Sequence, residues 1–147
     1  SGIGFLGALL NTHLTRNKEL KSLEEAKKIL EFIGLHEHQG ELAKNLPHGY
    51  QRRLELAIAL ATKPKLLLLD EPLTGMNQEE VKDMLKRIAH IRQEGRAILL
   101  VEHNMRAVTS ICDRIIALSF GRKIAEGSPQ EVVRNEKVVE AYLGIEA

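Results

Sequence analysis

A chain of 147 residues has room for about one domain with a real core, and not for several. Its net charge of +1 builds no global field toward nucleic acid or an anionic membrane, and an aromatic content of 3% is poor for stacking bases. One cysteine, Cys112, excludes an internal disulfide, which is compatible with cytosol, and no apolar run approaches the ~20 residues that span a bilayer.

Residues 1–10 are apolar and broken by glycine. Without a basic leader they make a poor signal peptide; they read as a loop, a loose helix or a segment that packs on another chain. Ser22 and Glu25 have capping-box spacing, Ala26, Ile29, Leu30 and Ile33 form one apolar stripe, and Gly34 is a natural stop. These signals predict a helix from Ser22, within a helical subdomain over residues 1–45. A loop signal follows, Leu46-Pro47-His48-Gly49-Tyr50, and then a helix over residues 51–61 with Leu54, Ala57, Ile58 and Ala61 on one side. Lys63-Pro64 breaks it.

Four consecutive leucines, residues 66–69, run straight into Asp70 and Glu71. A short unbroken apolar run fits a strand buried on both faces, as in a parallel sheet, and Pro72 ends it. The two acids then lie at the carboxyl end of a buried strand, where open α/β sheets bind ligands. Asp70 can hold a hard cation such as Mg²⁺, directly or through water. Glu71 can orient or deprotonate a water. The plainer alternative is that both acids only end a core strand and face solvent.

Asn77, with Glu80 three residues on, caps the next helix, whose buried face is Val81, Met84, Leu85, Ile88 and Ile91. Gly95 ends it, and residues 97–101 make a second buried strand. Strand, helix, strand at this spacing is a right-handed βαβ unit with parallel strands. Glu102 and His103 follow the second strand directly, so Asp70, Glu71 and His103 converge on one sheet edge. Farther on, residues 105–112 read as a helix, and 114–119 and 122–125 as strands around a Phe120-Gly121 turn. Ser128-Pro129-Gln130-Glu131 is a helix start, and a last short helix covers residues 137–143. His13, His36, His38 and His90 lack metal-ligand spacing and read as surface residues. Cys112 reads as a small buried apolar residue. Arg52 and Arg53 are either only solvated or have a structural or interface role.

In this order, these residues resemble the nucleotide-binding subunit of ABC transporters over the whole chain. Residues 66–71 look like the Walker B strand with its glutamate, and Leu73-Thr-Gly-Met-Asn77 looks like the D-loop. His103 looks like the switch histidine, and residues 46–50, followed by Gln51-Arg52-Arg53, stand where the signature loop belongs. Walker B alone is weakly specific; the ordered set is highly specific. Within the family, Val101-Glu-His-Asn-Met105, the stretch 120–127 and the ending Ala141-Tyr-Leu-Gly144 resemble the ATPases of branched-chain amino acid importers, with the lipopolysaccharide-export ATPase a near relative.

The resemblance implies an α/β fold: a P-loop NTPase-like (RecA-like) parallel sheet core, incomplete here. The helical subdomain (1–45) precedes a core part (46–127) and C-terminal helices (128–147). It implies ATP and Mg²⁺ as cofactors, with Asp70 for the metal and Glu71 and His103 as catalytic residues. Pro47, His48, Gly49, Tyr50, Gly75 and Asn77 would meet the nucleotide, the signature residues from the partner's side of a head-to-tail dimer. Its partners would be a second ATP-binding subunit, identical or different, and membrane permease subunits. It would lie in the cytoplasm, peripheral on the inner face of the membrane and bound there through the permease, with no nucleic acid. Three departures qualify the match. Pro47, His48 and Tyr50 replace the usual serine, first glycine and glutamine of the signature, and Asn77 replaces the D-loop aspartate. No Gly-x-x-x-x-Gly-Lys-[Ser/Thr] occurs, so the chain reads as the C-terminal part of a subunit, inactive by itself. The competing readings are a lipopolysaccharide-export-type or non-transport ABC ATPase, or an interaction module that binds no nucleotide.

Overall fold

The computed structural model describes residues 3–143, with side chains from 16 to 142. Helix α1 (Ile3–Ile33) runs without a break, so Ser22 lies inside it and caps nothing. The reason is propagation. Once a helix is nucleated upstream, the Lys-, Glu- and Leu-rich run 18–32 holds no glycine or proline to stop it. The apolar start is helical from Ile3, but residues 1 and 2 and the side chains up to residue 15 lie outside the described residues. Gly34, at φ +75°, ends α1, and two short 3-10 turns (His36–His38 and Ala43–Asn45) lead to Leu46.

Helix α2 (His48–Ala61) starts three residues earlier than its sequence pattern suggests, with Pro47 as N-cap residue. His48, Gly49 and Tyr50 are therefore its first turn and not a loop. Its buried stripe also differs from expectation. Gly49, Leu56, Ala57 and Leu60 are buried, while Ile58 is 62% exposed. Positions 49, 56, 57 and 60 share one face at 3.6 residues per turn, and the sequence carries a second apolar row one position round.

Strands β1 (Leu66–Asp70) and β2 (Ala97–Val101) pair in parallel, Leu66 opposite Ala97 through Asp70 opposite Val101. Helix α3 (Gln78–Gln93) connects them, which completes the expected βαβ unit. Burial on both faces is not found. Leu67 and Leu69 are buried, at 3% and 8% exposure, but Leu66 and Leu68 are 54% and 65% exposed. Strand residues point alternately to the two faces, and among the described residues helices cover only one of them. Leu99 and Val101 extend the open apolar face on β2.

Asn77 caps α3 through a full capping box. Its side chain accepts from Glu79 and Glu80 N–H, and the Glu80 carboxylate accepts from Asn77 N–H at 2.9 Å. Met84, Ile88 and Ile91 are buried, with Val81 and Leu85 partly so. They join Ile33, Leu35, Leu56, Ala57, Leu60, Leu67 and Leu69 in the larger core. The fully buried Leu, Ile and Met side chains among them contribute about 1.5–3 kcal/mol each. The smaller core, Val108, Ile115, Val132 and Val138, gathers the rest of the chain. It joins α4 (Met105–Ile111), the antiparallel hairpin β3 (Ile115–Ser119) and β4 (Arg122–Gly127), α5 (Pro129–Val133) and α6 (Glu136–Leu143). Cys112 is half-buried against this core.

Candidate active site

The carboxyl ends of β1 and β2 carry the candidate site. Asp70 is the last residue of β1 and is exposed, beside a small cleft of about 140 Å³ that Arg52, Glu55 and Pro72 also line. The chain turns sharply at Glu71, whose φ of +45° is unusual for a residue with a side chain. Its N–H donates to Val101 O at 2.9 Å, which carries the strand pairing one residue past Asp70. Glu71 Oε1 lies 3.5 Å from His103 Nδ1, and the Thr74 hydroxyl donates to Glu71 Oε2 at 3.2 Å. Both side chains of the Glu71–His103 pair are at least half exposed. A polar contact so open adds little stability. Its geometry matters for what it can reach.

The residues read as nucleotide contacts form a second group. Gly75, at φ +77°, takes a conformation that favours glycine, and the His48 ring lies against it. Gly49 is buried in the first turn of α2, beside the Glu80 carboxylate. Tyr50 faces the other way. Its ring packs on His38, with centroids 4.8 Å apart, and Arg53 lies over it at 5.1 Å. Pro47 is exposed before the helix, and Asn77 has both of its capping bonds engaged. Residues 46–50 and 73–80 are thus packed together, next to the Glu71–His103 end of the sheet.

Two features were not legible in the sequence. Glu102, between β2 and His103, accepts the Leu73 N–H at 3.0 Å. An acid directly after a buried strand was its only signal. Asp83 of α3 binds both Arg53 of α2, at 3.1 Å, and Arg87, at 2.9 Å, while Arg87 also donates to the Phe32 carbonyl at the end of α1. Arg53 is therefore structural.

Among the described residues no three His, Cys, Asp or Glu side chains converge to hold a metal. A single exposed carboxylate, Asp70, suits Mg²⁺ held jointly with waters and substrate phosphates, and not a closed protein cage.

Comparison with known proteins decides the family. The ABC transporter family matches residues 3–74, and the branched-chain amino acid ATP-binding cassette transporter family matches residues 122–147. The chain belongs to the ABC transporter ATP-binding family. It is 42% identical over 142 residues to the high-affinity branched-chain amino acid transport ATP-binding protein LivG of Escherichia coli, covering 96% of this chain and 56% of that protein. BraF of Pseudomonas aeruginosa, also a high-affinity branched-chain amino acid transport ATP-binding protein, is 40% identical, with 95% and 55% covered. The lipopolysaccharide export system ATP-binding protein LptB of Escherichia coli is 36% identical, with 82% and 50% covered. An ATP-binding cassette of an ABC transporter, solved in its ADP conformation, superposes with a TM-score of 0.77 at 31% identity, covering 85% of this chain and 51% of that one. The P-loop NTPase-like core expected from the sequence is therefore the fold of its structural neighbours. The chain spans about half the length of the curated relatives it matches. Among the described residues no helix is long and apolar enough to cross a membrane.

Proposed function

We propose that this chain is the signature, Walker B and switch-histidine part of an ATP-hydrolysing subunit that powers import of branched-chain amino acids. The observation that carries the reading is the meeting of Glu71 and His103, 3.5 Å apart, at the carboxyl ends of two parallel strands. Glu71 takes the role of orienting and deprotonating the attacking water, and the His103 ring holds Glu71 and the water in place. Asp70 holds Mg²⁺, which offsets phosphate charge during phosphoryl transfer. The start of α2 presents the His48 and Gly49 N–H groups to the nucleotide of a second ATP-binding subunit, with Pro47 as the cap and Tyr50 closing the first turn onto the Pro47 carbonyl, and Gly75 and Asn77 shape the adjoining loop.

The subunit works with membrane permeases from the cytoplasmic face, and residues 1–45 are the docking segment. Amino acid import is favoured over lipopolysaccharide export by the match of residues 122–147 to the branched-chain family.

The test is a hybrid in which this chain replaces the matching half of Escherichia coli LivG. The hybrid is expected to hydrolyse ATP. Glu71→Gln is expected to lower kcat by about 10²–10⁴-fold while ATP binding is kept. Near-normal turnover in that variant removes Glu71 from the base role.

A further inference from the structure

Glu71 holds a left-handed backbone, φ +45°, although it carries a side chain. Such a conformation persists only where the surroundings over-determine it. The hydrogen bonds of the turn show what does so. Glu71 N–H donates to Val101 O, and Thr74 N–H donates to Glu71 O. Pro72 has no N–H to place. Leu73, only 5% exposed, sends its N–H to the Glu102 carboxylate at 3.0 Å. A buried amide needs such a partner. Across residues 71–74, this is the only backbone N–H whose acceptor is a side chain, and the acceptor comes from the other strand, next to His103 in the chain.

We infer that Glu102 is a positioning residue that locks the strained turn at Glu71 and so keeps the Glu71 carboxylate facing His103. The functional meaning of that pair rests on the ATPase reading above; the lock itself does not. Glu102 touches neither Glu71 nor, on this reading, the nucleotide. It acts through the Leu73 amide. When that bond is lost, the turn relaxes toward ordinary backbone angles and the Glu71 side chain leaves its place beside His103.

Amide exchange and imidazole resonances, measured by NMR on the 147-residue chain, test this. Glu71→Gln fixes the direction in which the His103 ring signals move when the pair is altered. In Glu102→Ala, Leu73 amide exchange is expected to rise about tenfold or more while the Leu67 and Leu69 amides of β1 keep their rates. The His103 signals should move as they do in Glu71→Gln. Glu102→Gln, whose side-chain oxygen accepts the same bond, should stay within about twofold of the parent. A folded Glu102→Ala with unchanged Leu73 exchange and unmoved His103 signals overturns the inference. If the alanine variant fails to fold, Glu102→Asp, one methylene shorter, carries the test. Lost Leu73 protection with β1 intact supports the lock, and retained protection overturns it. In the LivG hybrid, Glu102→Ala should lower kcat with little change in KM. If Glu71→Gln leaves that hybrid's turnover normal, the base role of Glu71 falls, while the NMR result still decides the lock.

Discussion

His48 leans on Gly75: a Cβ built on Gly75 would stand 2.8 Å from His48 Cε1 and 3.0 Å from Nδ1. This contact joins the first turn of α2 to the loop that follows Glu71. Gly75→Ala therefore meets two penalties, the positive φ and the displaced imidazole. We expect it to destabilise the chain by about 1–3 kcal/mol, read as a lower urea midpoint at unchanged slope. His48→Ala should recover part of that loss in the Gly75→Ala background by removing the clash. Strictly additive effects would show that the ring and the glycine do not meet in solution.

Asp83→Ala tests the three-helix clamp. It strips the counter-charge from Arg53 and Arg87, whose side chains are only 12% and 19% exposed. The cost should be about 2 kcal/mol, more than an open surface pair is worth. Arg87→Met should cost less, because Asp83 keeps Arg53. Equal and negligible losses would reduce the clamp to surface decoration.

The cap of α5 is pH-dependent. The Ser128 hydroxyl and then the Ser128 backbone N–H, both donating to Glu131 Oε2 at 2.7 Å, hold the Glu131 carboxyl below its ordinary 4.5. A lowered value means that the folded state binds the proton less readily than the unfolded state. The stabilisation is thus complete above pH 4.5 and is lost as pH falls through the lower, folded value. The Ser128 amide resonance should follow that titration, and Glu131→Gln should abolish it. A Ser128 signal that ignores pH in the parent chain would contradict the assignment.

Mg-ATP should bind the 147-residue chain no more tightly than about 1 mM, a free energy of only ~4 kcal/mol. The phosphate cradle of this fold is a ring of backbone N–H groups with a lysine, and no segment of the 147 residues has that pattern. Asp70 and Glu71 alone repel a triphosphate. Micromolar binding by a verified monomer, measured calorimetrically, would show that another segment cradles the phosphates.

Local chemistry was legible where the signal and the structure span only a few residues. Asn77 and Glu80 form their capping box at the spacing that names it, and Ser128 and Glu131 repeat it. The leucine run with its terminal acids gave the strand, and the second apolar run gave its parallel partner. Ser22 shows the limit. The same spacing, with Glu25, lies inside α1, where the backbone N–H groups already have intrahelical acceptors and leave a cap nothing to satisfy.

What stayed hidden depends on distance along the chain. Leu73 and Glu102 are 29 residues apart, and no periodicity relates them. Arg87 reaches Phe32 across 55 residues. The two faces of the four-leucine strand are equally apolar, so composition alone could not tell which one helices α2 and α3 would cover. The choice between two apolar rows on α2 was likewise settled by its neighbours, and Ile58 was left in water.

Leu66, Leu68, Leu99 and Val101 form an open row of large apolar side chains, each between 53% and 65% exposed. Apolar association near room temperature is driven by entropy and weakens on cooling. A solution of this chain should therefore stay clear in the cold, turn cloudy on warming well before the helices melt, and clear again when chilled. Aspartate at Leu68 and Leu99 should raise the clouding temperature without moving the loss of helical signal.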